Sequence, residues 1–313
     1  MLKELLIPRR IAMMAIAAIL LGLCFVYGRW DWLLVPKYQK LMLTGFWNTL
    51  SLLVITMVLG MALAIPLGLA QAVGPWYLAR PAQAFCGLVR GTPLLLQLFL
   101  LYYGVGSLFP SIPGIRESIF WPILRDAWYF AVLGLSLSVA GYEGEVMRGA
   151  FKGVPHGQLE AAKAMGMPRL TLFRRIWLPQ ALHRVLPTLG GETVLQLKAT
   201  PLVAMITVTD IYAVSSRVRA ETLIVYEPLL MLALVYLAIT GMIGLIIVYA
   251  VLSWVQARSP ISDVIGRLCD PVLRPVRRIV PLVGGIDLSP LVLLVLLQVA
   301  LMVLGSLQAG VLR

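Results

Sequence analysis

The sequence predicts an all-α, multi-span helical membrane protein with about seven transmembrane helices. Of its 313 residues, 60% are hydrophobic and only 13% are charged, whereas about a quarter of a soluble domain is charged. Uncharged runs of at least 18 residues recur along the chain, and roughly 20 apolar residues are enough for a helix to cross a bilayer. A chain of this composition is expected to fold within a membrane.

The hydropathy pattern places the spans at residues 11–28, 44–72, 86–109, 127–147, 184–212, 226–256 and 288–309. The first run follows Lys3, Arg9 and Arg10 and ends without a small-x-small cleavage site. We therefore interpret it as an uncleaved membrane anchor and not as a signal peptide. The three cysteines have no metal-ligand spacing, so no metal site is expected.

The distribution of basic residues predicts a cytoplasmic N-terminus. In that orientation 17 of the 26 lysines and arginines face the cytoplasm and 8 face the outside, in agreement with the positive-inside rule. The excess of basic residues, which gives the net charge of +12, is then expected to face anionic lipid headgroups and cytoplasmic partners. No nucleic-acid partner is expected.

A polar, helix-forming segment joins the fourth and fifth spans. We call residues 150–180 the polar loop, and its sequence predicts two short helices on the cytoplasmic side. Pro155 is placed to open the first helix, and Gly166 is placed to end it with a left-handed C-cap. Pro168 is expected to open the second helix, and Pro179 is expected to stop it.

The second helix of the polar loop is predicted to be amphipathic. Its apolar face would consist of Leu170, Phe173, Ile176 and Trp177. Such a helix can insert into a groove of another protein or lie on the lipid surface. The small residues in the first helix favour a protein partner, because they permit close approach of another backbone.

Seven residues of the polar loop have a specific spacing: Glu160, Ala161, Ala162, Gly166, Ile176, Leu178 and Pro179. In this spacing the loop resembles the EAA loop of ABC importer permeases, the MetI-like transmembrane domains. Segments 141–149, 90–94 and 179–182 are similar to those of the polar amino acid branch of that family. The resemblance covers roughly residues 40–245, although Ala199 and Pro201 depart from the branch's pattern and Glu192 stands where the branch has an asparagine.

This resemblance implies a function in transport. In that family the EAA loop docks into a cytoplasmic ATP-binding subunit and transmits its ATP-driven closure to the spans, so the seven loop residues are the expected coupling residues. The implied partners are two ATP-binding subunits, an identical or homologous permease, a periplasmic or external solute-binding protein and membrane lipid. The implied substrates are polar or charged amino acids or opine-like relatives, carried across a bacterial inner membrane.

The chain itself is not expected to be an enzyme. It contains no GxxxxGK[ST] loop, so ATP and Mg²⁺ are expected in the partner subunit and no cofactor in this chain. No nucleophile and base occur at a spacing that indicates a catalytic site.

The C-terminal part carries a second resemblance. Segments 252–254, 270–278 and 284–290 are similar to one two-span repeat of the YGGT family. The link 257–287 contains five arginines and is predicted to contact the ATP-binding subunit or lipid headgroups. The chain is thus predicted to comprise an N-terminal anchor, a permease domain and a YGGT-like two-span region, at residues 1–40, 41–245 and 246–313.

Three residues of the fifth span are candidates for the substrate path. Lys198 lies near the middle of the span, where a lysine costs roughly 2.5–3.5 kcal/mol, so it is expected to face a substrate carboxylate or to form a structural ion pair. Glu192 would meet an ammonium or guanidinium group, or would be a polar position near the cytoplasmic end. Thr200 matches the polar amino acid branch. The glycine pair before Glu192 and Pro201 after Lys198 predict a broken helix.

Two other readings of the sequence remain open. In one, the chain is a YGGT-type membrane organising or division-associated protein with a vestigial permease domain. In the other, it is a secondary transporter that needs no ATPase. Deep ionisable residues are predicted only in the fifth span, which argues against proton coupling.

Outside that span, Glu145 and Arg148 are expected to form a local i,i+3 ion pair.

Overall fold

The computed structural model describes the backbone of residues 34–255 and the side chains of residues 37–248. Within these limits the chain is all-α, as predicted, and contains no strand. The predicted spans 11–28 and 288–309 and the basic link 257–287 lie outside the described residues. The orientation of the N-terminus stays a prediction.

Ten α-helices are found in this part of the chain. In order they are α1 Leu34–Val73, α2 Trp76–Gly91, α3 Leu94–Phe99, α4 Trp121–Leu124, α5 Ala127–Gly153, α6 His156–Ala164, α7 Arg169–Leu172, α8 Leu178–Ala199, α9 Ile211–Thr222 and α10 Tyr226–Val255. A π turn and a 3₁₀ turn extend α3 to Ser111, and a 3₁₀ turn extends α8 to Ile206.

Several of these helices are long and apolar enough to cross a membrane. Within the described residues they are the segments Lys37–Val73, Leu94–Ser111 and Tyr226–Val248, together with a bent pair formed by Arg169–Ile206 and α9. Helix α5 is less apolar and is not among these segments, but its 27 residues have a length of about 40 Å, which is enough to cross a bilayer. Its neighbours enclose it, and 15 of its residues are buried, so it has little need of a lipid-compatible surface.

Helix α5 is the centre of the bundle. It packs along α1, and α2, α3 and α8 also contact it. Glycines make this packing close: a β-carbon added at Gly68 of α1 would lie 2.6 Å from Met147 Cβ and 2.9 Å from the backbone nitrogen of Arg148. A β-carbon at Gly60 would meet Val139 in the same way. Small residues at such positions let membrane helices approach closely, which strengthens their dispersion contacts.

We expect Gly68→Leu to destabilise the bundle, because the added side chain has no room and its nearest obstacles include α5 backbone. Overpacking of this kind costs roughly 1–3 kcal/mol. Gly241→Leu in α10 is the matched control, since Gly241 is exposed and no atom lies within 4 Å of its added β-carbon. Thermal unfolding in detergent should show a lower Tm for Gly68→Leu alone; equal Tm values would contradict this packing.

The prediction for the third span, residues 86–109, is wrong at its start. The structure breaks the chain at Thr92 and Pro93, whose backbones are extended, and the span begins at Leu94. The cause is local, because a proline disfavours the helical conformation at the residue that precedes it. The preceding residues form the separate helix α2.

The fifth span, predicted at 184–212, also differs. The helical run begins earlier, at Arg169, and ends at Ile206; Thr207 then adopts a left-handed conformation with φ of 71°. The two helical parts meet at 54°. The span is therefore broken, as predicted, but beyond Thr200, while the predicted weak point at Gly190 and Gly191 lies inside the regular helix α8.

The second and sixth predicted spans are confirmed with changed ends, while the fourth coincides with helix α5, which is long enough to span but is not among the segments that are also apolar enough. The second begins about ten residues earlier than predicted, at Leu34, and the fourth continues six residues further, to Gly153. The sixth coincides with α10. A helix can continue beyond the membrane, and polar residues at the ends of α1 and α5 lower the hydropathy there, so the hydropathy pattern does not detect these extensions.

Candidate functional site: the polar loop and the acidic cavity

The first helix of the polar loop has the predicted ends. Pro155 precedes α6, and Gly166 follows it with φ of 75°, the left-handed conformation that glycine adopts without strain. The amide of Gly166 donates to the carbonyl oxygen of Lys163 at 2.9 Å, and the amide of Met167 donates to that of Ala162 at 3.1 Å. These bonds satisfy carbonyl groups at the helix end and turn the chain sharply.

The second helix of the polar loop does not stop at Pro179, so that prediction is wrong. A π turn, Phe173–Trp177, leads from α7 directly into α8, and Pro179 is the second residue of α8. A proline is tolerated there because the first-turn amides of a helix need no intrahelical acceptor. The polar loop is therefore continuous with the fifth span.

The apolar face of this second helix is partly as predicted. Phe173, Ile176 and Trp177 pack inward, but Leu170 is 61% exposed and Leu172 is buried instead. The wider i→i+5 turn places Leu172 above Ile176 in the register of the inward face. The prediction for Leu170 assumed a regular α-helix.

Aromatic contacts tie the polar loop to the central helix α5. Trp177 Nε1 donates a hydrogen bond to the backbone oxygen of Phe151 at 3.1 Å, and the two ring centroids are 5.5 Å apart. Phe173 lies against both rings, at 6.1 Å from Phe151 and 6.4 Å from Trp177. Phe151 itself is only 2% exposed. The polar loop is therefore attached to α5 by one hydrogen bond and three ring contacts.

The seven expected coupling residues divide into two groups. Four of them are exposed on the loop surface: Glu160, Ala161, Gly166 and Pro179. The other three belong to the cluster that attaches the loop to the bundle: Ala162, Ile176 and Leu178. The loop thus exposes one side, on which Glu160 is the only charged member of the four, while its other side packs against the bundle.

The base of the polar loop carries the predicted ion pair. Arg148 Nη2 lies 2.7 Å from Glu145 Oε2, and Arg148 Nε donates to the same oxygen at 3.0 Å. Arg90 at the end of α2 adds a second cation, at 3.9 Å from that oxygen. The pair is confirmed, and it also joins α2 to α5.

A cavity of about 270 Å³ lies between α1, α2, α3, α5 and α8. We call it the acidic cavity because two of its lining residues are Glu143 and Glu192 and none is a lysine or arginine. Its other polar lining residues are Thr92, Gln97, Ser138, Tyr142 and Gln196. The cavity lies inside the bundle, roughly ten residues, or 15 Å of helix, from the start of the polar loop.

Glu143 was not singled out by the sequence reasoning. It is 1% exposed, and neither of its carboxylate oxygens has a hydrogen-bond partner among the described residues. The prediction that deep ionisable residues occur only in the fifth span is therefore wrong. A signal was present: Glu143 has no basic residue three or four positions away on its helix, whereas Glu145 has Arg148.

Of the three substrate-path candidates, only Glu192 lines the acidic cavity. Lys198 is exposed, on a different side of the regular helix α8, and has no ion pair with any residue that the structure describes. Thr200 is fully buried, and its hydroxyl donates to the carbonyl of Leu197 at 2.8 Å and lies 3.1 Å from the Tyr236 hydroxyl. A role for these residues in substrate transfer stays a prediction.

The fold and the site define a class of protein: a helical membrane domain with a loop packed against one end of the bundle and a polar cavity between its helices. The chain belongs to the family of binding-protein-dependent transport system inner membrane components, which matches residues 64–259. It is accordingly a multi-pass protein of the inner membrane. Residues 229–308 match the CCB3/YggT family, so both resemblances seen in the sequence are confirmed.

The two matched ranges overlap at residues 229–259, most of which belong to α10. One helix is thus common to both parts of the chain. The boundary predicted at 245/246 falls inside this shared helix and stays a prediction.

Named relatives are permease proteins. The octopine transport system permease protein OccM of Rhizobium radiobacter is 37% identical over 68% of this chain and 84% of its own length. The nopaline permease NocM of Agrobacterium fabrum is 32% identical over 70% of this chain and 89% of its own length. The histidine/lysine/arginine/ornithine permease HisM of Escherichia coli K12 is 32% identical over 70% and 91%.

Solved structures agree with the fold. A crystal structure of an amino acid ABC transporter with histidines has a TM-score of 0.58 and 27% identity, and the match covers 70% of this chain and 97% of that one. An inward-facing MetNI methionine transporter has a TM-score of 0.53 at 16% identity, over 67% and 96%. The second likeness supports the fold alone.

Proposed function

We propose that this chain is the permease subunit of an ATP-driven importer and that its polar loop couples ATP hydrolysis in a partner subunit to movement of the spans. One observation carries the proposal: the loop exposes Glu160, Ala161 and Gly166 while Trp177 fixes its other side to Phe151 of α5. A partner protein can contact the exposed side of such a loop, and the attached side can transmit a displacement to α5 at the centre of the bundle.

The mechanism follows from this attachment. When the ATP-binding subunits close, the docked polar loops are drawn together. Each loop moves α5 through the aromatic cluster, and it moves α8 directly because α7, the π turn and α8 form one helical run. Since α5 and α8 both line the acidic cavity, their movement changes access to it.

The proposed assembly contains this permease with an identical or homologous copy, two cytoplasmic ATP-binding subunits and an external solute-binding protein. MgATP belongs to the partner subunits, and this chain binds no cofactor and performs no covalent chemistry. The N-terminus is placed in the cytoplasm. The basic link 257–287 would then lie on the side where the ATP-binding subunits dock.

The proposed substrates are polar or charged amino acids or opine-like compounds. The names of three relatives, which refer to octopine, nopaline and basic amino acids, support this class. The polar lining of the acidic cavity supports it as well, because a hydrophilic substrate needs hydrogen-bonding groups inside a membrane bundle.

Reconstitution tests the proposal. The full chain, its ATP-binding subunit and its solute-binding protein are placed in lipid vesicles, and uptake of labelled amino acids is followed with ATP or with a non-hydrolysable analogue. We expect the chain to capture the ATP-binding subunit and uptake to require hydrolysis. Uptake driven by a proton gradient without ATP would establish the secondary transporter, and failure to capture the subunit would favour the organising protein.

A further inference from the structure

We propose that a second cavity, between the end of α1 and the polar loop, binds the headgroup of an anionic phospholipid. We call it the basic cavity, because Lys152, His156 and Lys163 line it and no acidic residue does. Its volume is about 470 Å³, which is within the usual range of small-molecule sites. The inference goes beyond the proposed transport function, since this ligand stays in the membrane and is not carried across it.

The three basic side chains come from two helices and meet at one cavity. Lys152 lies near the end of α5, while His156 and Lys163 are seven residues apart on α6 and therefore share one face of that helix. All three are exposed, and none has an ion pair or a side-chain hydrogen bond with a residue that the structure describes. Their N–H donors are thus available to a ligand.

The charge around the basic cavity favours an anion. Glu160, the single acidic residue of α6, does not line the cavity and forms no ion pair within the described part of the chain. Residues 150–180 contain five lysines and arginines and one glutamate. An ammonium group has donors but no acceptor, and it is a common ligand of phosphate oxygens. A phosphate is therefore the expected polar part of the ligand.

The rest of the cavity lining is apolar, which favours an amphipathic ligand over a soluble phosphate. Besides the three basic residues, the lining consists of Ala72, Val73, Phe151, Leu159, Leu172 and Trp177. Apolar surface of this kind is stabilised when apolar atoms cover it. A phospholipid supplies both parts, because its phosphate can meet the basic rim while its glycerol group and the first carbons of its chains cover the floor.

The basic cavity also lies at the level where headgroups are found. It adjoins Val73, the last residue of a helix that is long and apolar enough to cross the membrane. Trp76 and Tyr77 follow immediately and are exposed, and such aromatic residues are enriched at membrane–water interfaces. Basic pockets between helices at the cytoplasmic surface are suited to anionic headgroups.

A lipid in the basic cavity would leave the docking surface of the polar loop accessible. Ala161 is two positions from Lys163 on α6, and residues at this spacing do not face the same way on a helix. The lipid would instead contact Phe151 and Trp177, which attach the loop to α5. Lipid binding and capture of the ATP-binding subunit can therefore be measured separately.

Isothermal titration calorimetry of the purified full chain in detergent tests the inference. The probes are dioctanoyl phosphatidylglycerol, which is anionic, dioctanoyl phosphatidylcholine, which has the same chains but no net charge, and glycerol phosphate, which has no chains. We expect the wild-type chain to bind the anionic lipid at least about tenfold more tightly than either of the other probes.

Two double variants with the same loss of charge locate the site. In Lys152→Gln/Lys163→Gln, affinity for the anionic lipid should fall by roughly tenfold or more, because each cation near the membrane surface contributes to the attraction. Lys37→Gln/Lys40→Gln is the matched control, since it removes two exposed lysines near the start of α1. The control should bind the anionic lipid as the wild type does, and the Tm of each variant is measured.

Four results would overturn the inference. The first is equal affinity of the wild type for both lipids, and the second is an equal loss of affinity in both double variants. The third is binding of glycerol phosphate as tight as that of the anionic lipid, which would indicate a site for a soluble phosphate compound. The fourth is unchanged lipid affinity in Lys152→Gln/Lys163→Gln together with loss of capture of the ATP-binding subunit, which would assign the two lysines to the protein partner.

Discussion

Gly166→Asp is expected to weaken capture of the ATP-binding subunit by roughly tenfold or more. Gly166 has φ of 75°, a conformation that costs most side chains roughly 1–2 kcal/mol and aspartate somewhat less, so the substitution strains the turn after α6. The new carboxylate also stands on the exposed surface that we assign to docking. Capture by the detergent-solubilised chain, measured by co-purification, gives the result.

Gly157→Asp is the matched control for this variant. Gly157 lies in the same loop, is also exposed and has no atom within 4 Å of an added β-carbon, but its backbone is helical. An acidic residue near the start of α6 is favourable to the helix dipole. The control should capture the ATP-binding subunit normally; if both variants lose capture alike, negative charge and not the Gly166 turn is responsible.

Trp177→Ala is expected to have the opposite phenotype, with normal capture but uptake lowered by roughly tenfold or more. The indole lies on the inner side of the polar loop, so the docking surface remains, while the link to α5 is lost. Removing a buried tryptophan costs about 3–5 kcal/mol, and Trp177 is half-buried, so the effect is at the lower end. ATP hydrolysis should continue without transport in the reconstituted vesicles.

Trp177→Phe separates the two components of this link. Phenylalanine keeps an aromatic ring against Phe151 and Phe173 but removes the donor of the 3.1 Å hydrogen bond. A single hydrogen bond contributes about 1 kcal/mol, so uptake should fall only a few-fold. Normal uptake by Trp177→Ala would show that the contacts of Trp177 with Phe151 and Phe173 are not required for coupling.

Local signals predicted the polar loop well. The turn at Gly166 and the start of α6 after Pro155 depend on the backbone preferences of glycine and proline, which act within a few residues. The ion pair of Glu145 and Arg148 depends on helical spacing alone. These features are confirmed because tertiary packing does not compete with them.

Features set by packing were missed. The π turn lies where the aromatic side chains of the loop pack against Phe151. The contact between Trp177 and Phe151 joins residues that are 26 positions apart in the sequence, and Leu170 lies outside the inward face. The proline could have predicted the break at Thr92–Pro93. The span was instead predicted from hydropathy averaged over many residues, and such an average does not register a single proline. Glu143 was hidden in the same way, because one carboxylate hardly changes the composition of a span, and only the fold shows that it lines a cavity with Glu192.

The most direct test of the central claim is a photo-crosslinking experiment on the assembled complex. A photoreactive amino acid is placed at Ala161, which is exposed on the polar loop, or at Leu237, which is 68% exposed on the membrane helix α10. Our account predicts a crosslink to the ATP-binding subunit from position 161 and none from position 237. Absence of a crosslink at 161, in a chain that inserts into the membrane and folds, would contradict the coupling role of the polar loop.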